Sequence, residues 1–393
     1  MRKVYMDHTA GRPVDRRVLR AMTPYFRGFY GNPSSLHSFA RETRKGLKRA
    51  RAQIADLIHA ERSEEVFFTS CATESNNWAI RGVAARNEKR GKHIITTGIE
   101  HMSVTNVCKL LMKEGFKVSF LPVDEYGKVE LDALEKELTD ETILVSVMYA
   151  NGEIGTIEPI KEISEVVHDS KAYLHVDATA AMGQLEIDVK KDDVDLLTLS
   201  SNDMYGPKGV GALYIKRGTR LEPLIVGGGQ ESGMRSGTEN LPNIVGMGRA
   251  AELARAEMKA ESRRLSRLRD RFIVGILENI PHSFLNGHQT ERLPNNVALR
   301  FSFIEGESML LNLDIVGVAA SSGSACTAKT LEPSHVLRAI GLKHEEAHGS
   351  LLFTLGRQNT DDDVDYVVNL LPNIVKRLRA MSPLTPSELR ENV

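Results

Sequence analysis

Short apolar runs that alternate with amphipathic helical stretches constrain the fold of this chain more than any other feature. Residues 65–69, 93–97, 142–148, 172–176 and 194–199 read as buried strands. Segments such as 41–58 and 160–169, which lie between them, carry helical periodicity. Strands alternating with helices imply an α/β domain built on a mainly parallel sheet. In such sheets the ligand crevice lies beyond the carboxyl ends of the strands, so the residues that follow each run are the ones to inspect.

A chain of 393 residues exceeds one small core and suits two domains. A charged helical stretch from about 248 to 279, with Leu253, Leu265, Leu268, Phe272 and Ile276 in register, leads out of the first. The expected division is a large domain over 15–255 and a smaller α/β domain formed by 1–14 with 256–393. A last helix over about 361–381 starts at an acidic cluster, which suits a helix N-terminus. The net charge of −1 offers no field for nucleic acid, and no run is long and apolar enough to span a bilayer. Three widely spaced cysteines, Cys71, Cys108 and Cys326, argue against a disulfide framework and for a reducing compartment. With no apolar leader at Met1–His8, the expected location is the cytoplasm.

Several segments carry chemistry. Thr69-Ser70-Cys71-Ala72-Thr73-Glu74 joins a strand to a helix, where free N–H groups serve either an anion or an ordinary N-cap. Glu100-His101 follows a strand and places His101 towards the crevice. Leu174-His175-Val176-Asp177 ends a strand on a carboxylate. Gly227-Gly228-Gly229 permits close backbone approach. Ala320-Ser321-Ser322-Gly323-Ser324-Ala325-Cys326-Thr327 surrounds a thiol with small polar residues, as a reactive nucleophile requires. His344-Glu345-Glu346-Ala347-His348 matches a zincin motif formally, but Gly349 and an apolar strand-like run follow at once, and the zinc reading is set aside.

Taken in order, these segments resemble the cysteine desulfurases, pyridoxal-phosphate enzymes of the class V aminotransferase type. The resemblance runs from Val4-Tyr5-Met6-Asp7 to the last helix. It implies the type I fold of the pyridoxal-phosphate-dependent transferases and a homodimer with the site at its interface. By resemblance Thr73 and Ser200 hold the cofactor phosphate, His101 stacks on the ring and Asp177 pairs with the ring nitrogen. Thr238 reaches the neighbouring subunit's phosphate, and Asn151 stands near the phenolate oxygen. Cys326 takes up sulfur as a persulfide, or lends its thiolate to an iron–sulfur cluster shared with a partner.

The chain also departs from that pattern. In Ser200-Ser201-Asn202-Asp203-Met204-Tyr205-Gly206-Pro207-Lys208, the family's His-Lys pair is replaced by Asn202-Asp203. An acidic side chain stands where the Schiff-base amine belongs. Cys71 replaces a Gly, Gly152 an Asn, Ala180 a Gln, and Leu352 the Arg that forks onto the substrate carboxylate. The expectation is a protein of sulfur mobilisation for iron–sulfur assembly, drawing on L-cysteine. Its pyridoxal or pyridoxamine phosphate is held non-covalently, and Cys326, His101 and Asp203 are the catalytic set, with Asp203 as proton carrier. The alternative is an inactive dimeric platform that docks an iron–sulfur scaffold protein and supplies Cys326 as sulfur relay or cluster ligand.

Overall fold

The apolar runs form the middle of a seven-stranded sheet. Its strands in chain order are Val66–Thr69 (β1), His93–Thr97 (β2), Lys117–Leu121 (β3), Thr142–Met148 (β4), Tyr173–Asp177 (β5), Leu196–Ser200 (β6) and Gly211–Ile215 (β7). Across the sheet they lie in the order β1, β7, β6, β5, β4, β2, β3. Only β7 runs against its neighbours; the pairs β6–β5, β5–β4, β4–β2 and β2–β3 are parallel. The chain is described by a computed structural model over residues 2–322 and 333–390. Cys326, and with it the loop that carries it, lies outside the described residues.

Every residue of β2 and β4 is buried, as expected of strands with helices on both faces. The edge strand β3 has exposed Lys117 and Phe120, so its pattern gives no continuous apolar run. The helix Ala40–Leu57 (α1) lies along Leu241–Asn279 (α4), and between them in sequence come Ala72–Asn87 (α2) and Met102–Lys113 (α3). The approach of α1 to α4 requires Gly248, since a Cβ there would sit 2.5 Å from the Cα of Ala50.

Helix α4 passes between two cores. Its Ile244, Met247, Ala250 and Ala251 pack with Val18, Ala50 and Ile54 in the core of the large sheet. Its Leu265, Leu268, Phe272 and Ile276 join Val4, Met6, Phe301 and Phe353 in the second. Phe272 and Phe353 are fully buried, with ring centroids 4.9 Å apart. Truncating either to alanine would cost about 3–5 kcal/mol. This second core rests on an antiparallel sheet of Ser350–Thr354, Asn296–Phe301 and Ser283–Leu285, and Val4–Tyr5 pairs with Val318–Ala319 beside it. The last helix, Asp361–Met381 (α5), begins at Thr360, whose hydroxyl accepts from the N–H of Asp363. Val336, Leu337, Ile340 and Ala347 return from the C-terminal third to the core of the large sheet.

The two parts are joined by Arg292, which is 2% exposed. Its guanidinium donates to the carbonyls of Ile154 (3.1 Å) and His288 (2.9 Å) and to Asn296 Oδ1 (2.8 Å). The Asn296 amide in turn donates to the carbonyls of Gly152 and Glu153, each at 3.1 Å. Burial, with Arg269 nearby, lowers the Arg292 guanidinium to about 9. The turn after β4 is thereby fixed to the smaller sheet.

Candidate functional site

The segments that follow β1, β2, β4, β5 and β6 converge on one cavity of about 290 Å³. Thr73, His101, Asn151, Asp177 and Asp203 all line it, together with Asp7 and Thr9 of the N-terminal arm. Leu352, from the smaller sheet, closes another part of the wall. Residues far apart in sequence, from Asp7 through Asn151 to Leu352, thus meet at the carboxyl ends of the large sheet's strands.

Asp177 ends β5 and is 5% exposed. Its Oδ2 accepts from Asn76 Nδ2 at 2.7 Å, and its Oδ1 accepts from the N–H and hydroxyl of Thr179 at 3.0 and 2.6 Å. The same Asn76 Nδ2 lies 2.8 Å from Ser103 Oγ, and Ser103 Oγ lies 2.8 Å from His101 Nδ1. His101 is the N-cap of α3, and its Nδ1 accepts from the N–H of Ser103 at 3.1 Å. A continuous polar chain therefore fixes the imidazole and the carboxylate relative to each other. Asn76 does not stand out in the sequence, although it sits one helical turn after Thr73 and so shares its face of α2.

Helix α2 starts at Cys71, which makes no side-chain cap bond, so the first N–H groups of the helix are uncapped. The glycine-rich loop is held beside this start: Arg235 Nε donates to Glu74 Oε1 at 2.9 Å, and Glu231 pairs with Arg51 at 2.6 Å. Thr238 of that loop is exposed and does not line the cavity of its own subunit. Ser200 also stays off the wall, behind Asp203, to whose carboxyl it hydrogen-bonds.

Asp203 is 6% exposed. Burial raises its carboxyl, Asp177 adds to that, and Arg12 and the Ser200 hydroxyl pull the other way. Asn151 offers no free amide: its Nδ2 donates to the Ile99 carbonyl at 3.0 Å, and its Oδ1 accepts from the N–H groups of Glu153 and Ile154 at 2.9 and 3.0 Å. It holds the turn, and the expectation that it contacts a ligand through its side chain gains nothing from this geometry. At position 152 a Cβ would have only Ala180 and Thr9 within reach, each at 3.5 Å, so the two departures from the family pattern face one another.

Arg357 does not enter the cavity. It bonds Asp15 Oδ2 at 2.8 Å and Glu257 Oε2 at 3.2 Å, with its guanidinium carbon 4.5 Å from the Tyr205 ring centre. His344–His348 forms a five-residue helix, and no group of three or more potential metal-binding side chains occurs among the described residues. No described helix is long and apolar enough to cross a membrane.

Fold and cavity place the chain among enzymes that bind an aldehyde cofactor at strand ends, and its relatives agree. The chain belongs to the class-V aminotransferase family, whose pattern matches residues 4–367. Within that family its similarity is to cysteine desulfurases. It is 57% identical over 380 residues to cysteine desulfurase IscS 1 of Archaeoglobus fulgidus, covering 97% of this chain and 99% of the relative. Cysteine desulfurase IscS of Methanosarcina thermophila is 52% identical, with 98% and 95% covered. A solved NifS-like protein superposes with a TM-score of 0.90 at 37% identity, covering 96% of this chain and all of the other.

Proposed function

We propose that the protein mobilises sulfur for iron–sulfur cluster assembly as a homodimeric cysteine desulfurase-type protein that holds its cofactor without a covalent bond. The observation that carries this reading is Asp203, enclosed at the wall of the cavity next to Asp177, in a lining that includes no lysine among the described residues. The lining fits a pyridoxal-type cofactor. Asp177, held on both oxygens, would keep a proton on the ring nitrogen; His101, fixed through Ser103, offers a flat face for the ring; Thr73 and the uncapped start of α2 suit the phosphate. When bound, such a cofactor supplies an electron sink for bonds at a substrate's α-carbon.

The residues of this chain then divide the remaining work. Asp203, protonated by burial, holds a proton at the place where the family keeps an amine. The Arg292–Asn296 clamp keeps the turn at Gly152 and Glu153 from shifting. Cys326 would accept sulfur as persulfide and pass it to a scaffold partner. One observation favours the platform reading instead: Leu352 stands where a carboxylate clamp belongs, and Arg357 is committed to Asp15 and Glu257.

Titration of the purified protein with pyridoxal and pyridoxamine phosphates, followed by borohydride and peptide mapping, tests the cofactor claim. Saturable binding with no lysine adduct, and tighter binding of the aminated form, is expected. A borohydride-fixed lysine, Lys208 included, refutes non-covalent binding. For the relay, Cys326→Ser should lower cluster formation on a scaffold protein without weakening the dimer; unchanged cluster formation refutes that role.

A further inference from the structure

The cavity wall carries carboxyl groups at Asp7, Glu100, Glu153, Asp177 and Asp203, and no lysine or arginine among the described residues. The neighbouring guanidinium of Arg12 is used elsewhere: it donates to the His8 and Asp203 carbonyls and lies 5.3 Å from the Tyr205 ring centre. Arg357 is held by its two acidic partners. Asp177 has donors on both oxygens, but Glu100 and Glu153 do not. Glu100 is 0% exposed; its Oε1 accepts from Thr97 Oγ1 (2.8 Å) and the Met148 N–H (2.9 Å), and its Oε2 has no partner. Glu153 Oε1 is likewise enclosed without a partner. The rest of the wall includes Ile99, Met148, Val336 and Leu352.

We infer that this cavity takes a small primary ammonium compound without an α-carboxylate, an aminothiol of the 2-aminoethanethiol class, and that Leu352 is the residue that turns the carboxylate away. The inference rests on reading the cavity as the cofactor and substrate site. An ammonium group brings three donors and a positive charge to a wall with two unmatched acceptor oxygens. A buried acceptor without a donor is unfavourable, and so is an acid in an enclosed space without a cation. Burial pushes Glu153 up to about 8, so the empty cavity stores a proton there that a bound ammonium would displace. The carboxylate of an α-amino acid meets the opposite conditions. It would leave water for a wall of acidic groups and the apolar Leu352, with no fork of N–H donors to receive it.

The test is calorimetric titration of the full-length protein with 2-aminoethanethiol, L-cysteine and 3-mercaptopropionate, with pyridoxamine phosphate as a separate control. The aminothiol should bind at least about tenfold more tightly than L-cysteine, the typical scale of one charge-assisted contact, and the mercapto acid weakest of all. Leu352→Arg should reverse the order of the first two. Because arginine at this buried position can unfold the protein, Glu153→Gln provides an isosteric variant, and it should weaken the aminothiol several-fold while leaving L-cysteine unchanged. Equal or tighter binding of L-cysteine by the natural chain, or an aminothiol preference that Glu153→Gln leaves untouched, overturns the inference. If pyridoxamine phosphate binds while the aminothiol preference is absent, the substrate class alone is wrong. If pyridoxamine phosphate fails to bind, the proposed function falls, while the aminothiol preference stands or falls on its own comparison with L-cysteine.

Discussion

Glu153→Gln also isolates the energy held in the cavity wall. The carboxyl is enclosed, its Oε1 has no partner, and burial lifts it from 4.5 to about 8 against the pull of a Ser334 hydrogen bond. In the unfolded chain the same group titrates near its ordinary value. Below that value it is protonated in both states, and the fold bears no pH-dependent cost. Between the two values unfolding releases a proton, so the folded state loses about 1.4 kcal/mol of stability for each pH unit. The loss amounts to roughly 3 kcal/mol at pH 7 and levels off above about pH 8. Glutamine keeps the shape and does not titrate. Urea unfolding of both proteins at several values from about pH 5 to 8 reads the difference directly, since the midpoint and slope give each free energy. The variant should gain on the natural chain by about 3 kcal/mol between pH 5 and 7. A difference that stays flat across that range would show that the carboxyl is ionised or solvated in the folded protein, and the reasoning would fail.

Asp203→Lys should allow borohydride to fix pyridoxal phosphate to the chain while giving little sulfide from L-cysteine, because groups that act as a unit are not recovered one at a time. Adding Asn202→His and Leu352→Arg should raise activity beyond the product of the single effects, and full activity in the single variant would show that the other losses matter little. Asn76→Ala removes the shared donor of Asp177 and Ser103, and should cost about 2–4 kcal/mol in stability and weaken pyridoxamine phosphate at least about tenfold. Unchanged cofactor affinity would reduce Asn76 to a packing residue. Arg292→Met strips donors from the carbonyls of Ile154 and His288, and should lower stability by about 3 kcal/mol or more in thermal or urea unfolding. A loss below about 1 kcal/mol would mean that water replaces those bonds.

The strands at 93–97 and 142–148 were legible because both of their faces are covered, which leaves an unbroken apolar run in the sequence. The edge strand Lys117–Leu121 was not, because its half-exposed residues mix with the pattern of a loop. Thr73, His101, Asp177 and Asp203 could be picked out because a parallel sheet delivers whatever follows its strands to one crevice. Periodicity along the chain records which side of an element is buried and nothing of what lies opposite. The bond from Asn76 to Asp177, the pairing of Arg357 with Asp15 across 342 positions, and the retention of Asn151 by the Ile99 carbonyl all depend on that opposite surface. So does the charge of the cavity. The sequence alone determined the alternation of elements, the cofactor-type motifs and the loss of the lysine. Only the packing of α2, the turn after β4 and the smaller sheet around one volume decided that the acids would face inward while the arginines were engaged elsewhere, since charge is balanced in space and not along the chain.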